Sequence, residues 1–184
     1  MEYKKLNLYR VIPKYIKALQ DESNGGDKRV YGKDNRPFIG IVVVCNGQKY
    51  CVPLTSVKEK FMKMKGAIDF GLIKINNEIV AGIEYSRMIP VEEHFLRPLD
   101  TIEHAHDTDK LKTVKKLRRA EIEWCATHNE EITNKVNVLY NTYTSNVFFK
   151  HRKNCLDFPQ LERICKTYCK EHPQQHNPQS NRRR

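Results

Sequence analysis

An Asn-Gly dipeptide at 46–47 stands between two apolar, β-rich runs, FIGIVVVC (38–45) and QKYCVPL (48–54). No other stretch of the chain restricts the fold as tightly. A type I′ turn needs φ > 0 at both central residues, and Asn-Gly adopts that geometry with little strain. The two runs are therefore predicted to form a hairpin with a two-residue loop. In that register residue 45 faces 48, and each step outward moves both strands by one residue. Phe38 then faces Thr55, Pro37 faces Ser56, Arg36 faces Val57 and Asn35 faces Lys58. Ile41 to Val44 is continuously apolar and β-branched, which predicts a strand covered on both faces. Pro53 predicts an outer or irregular position for its partner strand.

The open end of this hairpin collects an unusual set of side chains. Tyr31, Arg36, Thr55, Ser56 and Lys58 supply donors and positive charge without a carboxylate. Hard divalent cations need several oxygen ligands, so the set does not suit a metal. It suits a phosphodiester: arginine binds two phosphate oxygens, hydroxyls position the group, and lysine stabilises a five-coordinate phosphorus. On residues alone a second reading stands beside this one. Thr55-Ser56 also has the chemistry of a helix N-cap before a helix opening near Val57.

Elsewhere the chain reads in two halves. Leu6, Leu8 and Val11 open a short strand, and Pro13, Tyr15, Ile16 and Leu19 continue as a helix. Residues 21–35 read as a loop. FGLIKI (70–75) and EIVAGI (78–83) flank a second two-residue turn, Asn76-Asn77, and MIPV (88–91) reads as a further strand. Residues 92–107 read as loop. A helix is predicted over 109–127, with Leu111, Val114, Leu117 and Trp124 on one side. A second covers 129–143 with a stripe of Ile132, Val136, Leu139, Tyr140 and Tyr143, entered through a capping box at Thr127–Glu130. The last helix covers 156–171, entered through Phe158-Pro159. This order predicts an α+β fold with an antiparallel sheet. The chain is expected to form one domain over 1–171, followed by a disordered basic tail, 172–184. No GxGxxG or Walker-type loop is present.

The 184 residues carry a net charge of +11, which favours a polyanionic partner over plain solubility. KLKTVKKLRR (110–119) concentrates Lys110, Lys112, Lys115, Lys116, Arg118 and Arg119 without a carboxylate, as expected of an RNA-backbone contact. The same helix as a DNA reader fits less well, because it offers no Asn or Gln for base edges. The N-terminus has no apolar signal region and no run approaches a membrane span, which predicts a cytoplasmic protein. The six cysteines fit reduced, structural thiols. Cys165, Cys169 and His172 lack the paired spacing of a zinc site. His104 and His106 read as a solvated loop.

The motifs YRVIPKYIKAL, NRPFIGIVVVCNGQKYCVPLTSVK (35–58), MIPV and CLDFPQLE (155–162) resemble those of the type III toxin–antitoxin endoribonucleases, the ToxN/AbiQ family, in order and spacing. The resemblance spans residues 3–170. It implies a curved antiparallel sheet ringed by helices and a metal-independent ribonuclease centre in its groove, needing no cofactor. It places the catalytic set on Thr55, Ser56 and Lys58, with Arg36 as the basic residue before the strand and Tyr31 upstream. Lys33 is a further candidate for catalysis or substrate binding. Some relatives carry lysine where Arg36 stands, and Val57 replaces the usual proline. The resemblance also implies a single-stranded RNA substrate and an inhibitory partner, a small RNA pseudoknot cut from a tandem-repeat transcript. It admits a higher-order toxin–RNA assembly. The residues by themselves also allow a non-catalytic basic RNA-binding protein.

Overall fold

The computed structural model describes residues 7–23, 38–59 and 67–173. Seven antiparallel strands form one sheet: β1 (Leu8–Val11), β2 (Ile39–Cys45), β3 (Gln48–Ser56), β4 (Gly71–Ile75), β5 (Glu78–Ile83), β6 (Ile89–Pro90) and β7 (Leu96–Pro98). Their order is β4-β5-β3-β2-β1-β7, with β6 also paired to β3. Helix α1 (Pro13–Glu22) follows β1, and α2 (Asp109–Thr127), α3 (Asn129–Ser145) and α4 (Phe158–Glu171) make the second half helical. Among the described residues no helix is long and apolar enough to cross a membrane.

Both predicted two-residue turns form. Asn46 and Gly47 have φ of 48° and 79°, and Asn76 and Asn77 have 51° and 66°. The β2–β3 ladder runs from Cys45↔Gln48 to Gly40↔Pro53, in the register the turn dictates.

Strand β3 is long and central, which settles where Pro53 can sit. One edge pairs with β2 from Gln48 to Pro53. The other edge is shared: Tyr50 and Cys51 pair with Pro90 and Ile89 of β6, whereas Leu54, Thr55 and Ser56 pair with Ile83, Gly82 and Ala81 of β5. Pro53 lies at the break between these partners. Its carbonyl accepts from the Glu84 N–H across that break, and a residue's N–H points to the same side as its carbonyl. The donor that proline lacks is therefore missing where no ladder bond is formed. Of the two expected positions, the irregular one is found within an inner strand.

Four other expectations are corrected. Val44 is 53% exposed, so the turn end of β2 is covered on one face only, the face that carries Ile41, Val43 and Cys45. Residues 92–107 are not all loop, since Leu96–Pro98 pairs with β1 as an edge strand, where Pro98 is tolerated. The capping box at Thr127 is absent: the N-cap of α3 is His128 without a side-chain cap, and the Thr127 hydroxyl donates back to Trp124 O. The apolar face of α2 is also displaced. Leu111, Val114 and Leu117 are exposed, Trp124 of the expected four packs against the core, and Lys115, Glu121 and Cys125 are buried.

One core joins the sheet to α1, α3 and α4. Ile132, Val136, Leu139 and Tyr143 give α3 its buried stripe, and Tyr15, Ile16 and Leu19 give α1 its own. Each such side chain contributes about 1.5–3 kcal/mol on burial. Three tyrosine hydroxyls against the core have partners. Tyr15 donates to Pro90 O at 2.7 Å, and the Glu162 carboxylate accepts from both Tyr50 and Tyr140. Helix α4 starts where Asp157 accepts from Gln160 N and Pro159 occupies the first turn.

Candidate active site at the end of the central strand

Thr55 and Ser56 are the last two residues of β3, and Val57 and Lys58 follow as irregular chain. Alternation along a strand turns neighbouring side chains to opposite faces. Thr55 is half-buried, whereas Ser56 and Lys58 are exposed. The Thr55 side is fixed by its neighbours across the sheet. Thr55 faces Gly82, and the buried Phe70 ring lies so close to Gly82 that an added Cβ would sit 2.4 Å from its Cζ and 3.1 Å from Thr55 Cγ2. Glycine at 82 is therefore required for the ring to cover the strand beside the threonine methyl. On the β2 side, a Cβ on Gly40 would fall 2.1 Å from Val52 O. These two close approaches, two rows apart on β3, hold the chain that carries the hydroxyls.

Arg36, Tyr31 and Lys33 lie outside the described residues, as do residues 60–66, on which the helix-cap reading of Thr55-Ser56 depends. The ladder that would carry Arg36 toward Val57 is established as far as Gly40↔Pro53.

The basic cluster of α2 divides in two. Lys115 is buried with its ammonium 2.7 Å from Asp100 Oδ2 and 3.0 Å from Asp107 Oδ2, and it also donates to Ile102 O. Arg118 pairs with the buried Glu121 at 2.7 Å. Arg119 pairs with Glu103 and donates to Thr101 O. Lys110 and Lys116 are exposed and Lys112 is half-buried. The carboxylates missing from the local sequence thus arrive from residues 100–107 and from one turn further along the helix.

The titration shifts follow from these contacts. The hydrogen bond from Lys115 pulls Asp100 down to about 2. Asp107 is lowered by the His104 N–H and then by Lys115, and Glu103 is lowered by Arg119. Lys115 is raised by Asp100. Burial raises Glu121 despite Arg118.

All six cysteines are free thiols. Burial pushes Cys45 up to about 11 and Cys125 and Cys165 up to about 12, so they remain protonated and unreactive near neutrality. His172 stacks on Tyr168 with ring centroids 4.1 Å apart, and its Nδ1 lies 3.1 Å from Tyr168 O. Among the described residues no group of three donors is placed to hold a metal ion. His104 Nε2 lies 3.0 Å from Asp100 Oδ2 in an exposed loop.

Two contributors escaped sequence reasoning. Phe70 and Gly82 buttress Thr55, and the only signal was a glycine inside a strand pattern, which marks close approach. The α3–α4 connector carries an aromatic and basic stretch that joins this end of the sheet through Asp69.

The chain resembles proteins of known kind over nearly all of this architecture. The profile of a family described as Toxin ToxN, type III toxin–antitoxin system, matches residues 7–166. Endoribonuclease ToxN of Bacillus thuringiensis subsp. kurstaki is 26% identical over 168 residues, covering 87% of this chain and 82% of that protein. The solved structure of AbiQ, a lactococcal anti-phage endoribonuclease of the type III class, superposes with a TM-score of 0.73 at 26% identity, covering 90% of this chain and 99% of AbiQ. A structure from a study of selective toxin inhibition by a non-coding RNA pseudoknot in type III systems shares the fold. Its TM-score is 0.70 at 24% identity, covering 90% of this chain and 98% of that one.

Proposed function

The chain belongs to the ToxN family of type III toxin–antitoxin toxins, and from that premise we propose that it is an endoribonuclease acting on single-stranded RNA in the cytoplasm. The observation that carries the reading is the end of β3: Ser56 and Lys58 exposed, with Thr55 held against Phe70 and Gly82. In this reading the substrate's own 2′-hydroxyl attacks the adjacent phosphorus in line, and the 5′-oxygen leaves. The products are a 2′,3′-cyclic phosphate and a free 5′-hydroxyl. Lys58 and Arg36 stabilise the extra negative charge on the phosphoryl oxygens. Ser56 and Thr55 orient the phosphate by hydrogen bonding, and Tyr31 and Lys33 are proposed to complete the site. These groups are hydroxyls, ammoniums and a guanidinium, a set that can act on a phosphodiester without a metal.

A folded antitoxin RNA, a small pseudoknot from a tandem-repeat transcript, is the proposed inhibitor, with a higher-order toxin–RNA assembly as its stored form. Lys110 and Lys116 are exposed and Lys112 is half-buried, which leaves all three within reach of its backbone. Lys115, Arg118 and Arg119 contribute there by shaping α2 and the segment beneath it.

Purified protein should cut RNA in excess EDTA and leave a cyclic phosphate. Replacing the ribose at the cut site with deoxyribose should stop cleavage with little change in binding. Binding without any cleavage would identify a basic RNA-binding protein instead. Cleavage that persists on the deoxy substrate, or stops with EDTA, would contradict the mechanism.

A further inference from the structure

The connector between α3 and α4 covers residues 146–157; its first nine residues, 146–154, read NVFFKHRKN without a carboxylate, and its one acid, Asp157, caps α4. Phe148 is 91% exposed, the highest value among the exposed large apolar residues, and Val147 beside it is 69% exposed. Lys150 and Lys153 are exposed on the same segment. Single exposed apolar side chains are common, but two adjacent ones beside two lysines form a patch of the kind that marks an interaction site.

The segment is built rather than loose. Asn146 Oδ1 accepts from Phe148 N at 2.9 Å, and Asn146 O accepts from Phe149 N at 3.2 Å. Phe149 N through Cys155 N form a run of tight turns. The Arg152 guanidinium lies 4.1 Å over the Tyr143 ring and donates to Tyr143 O. Phe149 turns inward onto the core while Phe148 turns out. Beneath the segment, the buried Asp69 places Oδ2 3.5 Å from both His151 Nδ1 and Asn154 Nδ2. The next residue, Phe70, packs on Gly82 opposite Thr55. The exposed ring is thus anchored, through Asp69 and Phe70, to the strand end that carries the proposed site.

We propose that this connector is a binding site for unpaired RNA, with Phe148 as the platform for one base and Lys150 and Lys153 as contacts to the flanking phosphates. Single-strand binding surfaces combine an aromatic face with cations, because every base has a π-face and every linkage a charge. The positive, carboxylate-free run 146–154 fits a polyanion, since Asp157 is engaged as the cap of α4 and Asp69 is buried against His151 and Asn154. The site deepens the endoribonuclease reading, on which its choice of ligand rests: it would hold the substrate strand outside the cleavage point.

The test uses the full chain and a fluorescein-labelled 2′-O-methyl oligouridylate of about 20 nucleotides, which binds but offers no 2′-hydroxyl. Phe148→Ala should weaken binding roughly 5- to 150-fold, the range for loss of one stacked base. Phe148→Trp should restore it, and both variants should bind a duplex RNA as wild type does. Lys150→Gln with Lys153→Gln should weaken both RNAs and flatten their salt dependence. On a long cleavable RNA, Phe148→Ala should raise KM and leave kcat unchanged. Oligouridylate binding by Phe148→Ala equal to wild type overturns the proposal, as does failure of tryptophan to restore it or an equal loss on duplex RNA. The two readings fail separately. Wild type that binds oligouridylate through Phe148 but cuts no RNA overturns the enzyme and keeps the site. Cleavage with an unchanged KM in Phe148→Ala overturns the site and keeps the enzyme.

Discussion

The β2–β3 hairpin and helix α2 were equally vivid in the sequence, and they met opposite fates in the structure. The hairpin folds in the register its turn imposes, from Cys45↔Gln48 to Gly40↔Pro53. Helix α2 forms over the predicted span but with its buried face displaced, Leu111, Val114 and Leu117 outside and Lys115 and Glu121 inside. The difference lies in where the deciding partner sits. A two-residue turn fixes the pairing of its own flanks, so the information is local. A helix faces whatever the rest of the chain offers, and here that is a pair of aspartates, Asp100 and Asp107, which hold Lys115. A buried cation with two carboxylates within hydrogen-bond reach can replace an apolar contact. The hairpin end thus supplies proposed chemistry, and half of the basic helix supplies architecture.

The comparison can be broken most severely at Gly40. A side chain there meets Val52 O within 2.1 Å, so Gly40→Val should cost at least about 3 kcal/mol or prevent folding. Val44→Lys, at the exposed end of the same strand, should stay within about 0.5 kcal/mol. Urea titrations of the two variants check both. Similar midpoints would mean that the hairpin is not packed as described.

The next largest effect is expected on α2. Lys115→Met leaves Asp107 buried without its ammonium and should lower the melting temperature clearly, while RNA cleavage by the protein that remains folded is kept. The chain's single tryptophan, Trp124, stacks on His128 within α2, so its fluorescence follows the helix. A Lys115→Met protein with an unchanged melting curve would return that lysine to the pool of free surface charge.

The same clasp sets an acid limit. Asp100, Asp107 and Glu103 are lowered in the folded state. Their contribution is therefore complete above the ordinary carboxylate range and is lost as pH falls from about 4 toward 2. Lys115 is raised, so its part is lost only as pH climbs above the ordinary lysine value of 10.5. Glu121 has the opposite sense among the acids: burial raises it, so its ionisation above about 4.5 opposes folding. Urea midpoints measured from pH 7 to pH 2 should fall below about pH 4 in wild type and fall less in Lys115→Met. Parallel curves would remove the clasp from the account.

The smallest effect concerns the exposed half of the cluster. Converting Lys110, Lys112 and Lys116 to Gln should flatten the log–log salt dependence of inhibitory-RNA binding by about two units, at roughly 0.7 per contact. Stability should hardly change.

Much of this molecule could be read in advance from residues whose neighbours in space are neighbours in sequence. Asn46-Gly47, Asn76-Asn77 and Phe158-Pro159 each announced the local geometry that formed. What escaped depends on distant segments. The Pro53 break needs β5 and β6 to share one edge, and the covering of Gly82 needs Phe70, the residue just before β4. The pairing of Lys115 needs Asp100 and Asp107. At the candidate site, Thr55, Ser56 and Lys58 stood out because polar hydroxyls and a cation end an apolar strand. The buttress behind Thr55 left no trace except an intrastrand glycine.

The central claim is that chemistry resides at the end of β3 and architecture in α2. It is tested most directly by measuring RNA cleavage and melting on the same preparations of Ser56→Ala, Lys58→Ala and Lys115→Met. The first two remove exposed groups. Each should lose roughly 100- to 1,000-fold in cleavage rate while its stability stays within about 0.5 kcal/mol. Lys115→Met should melt earlier and keep its cleavage rate at temperatures where it is folded. Ser56→Ala or Lys58→Ala that cuts RNA like wild type, or that loses activity only because it has unfolded, would contradict the claim.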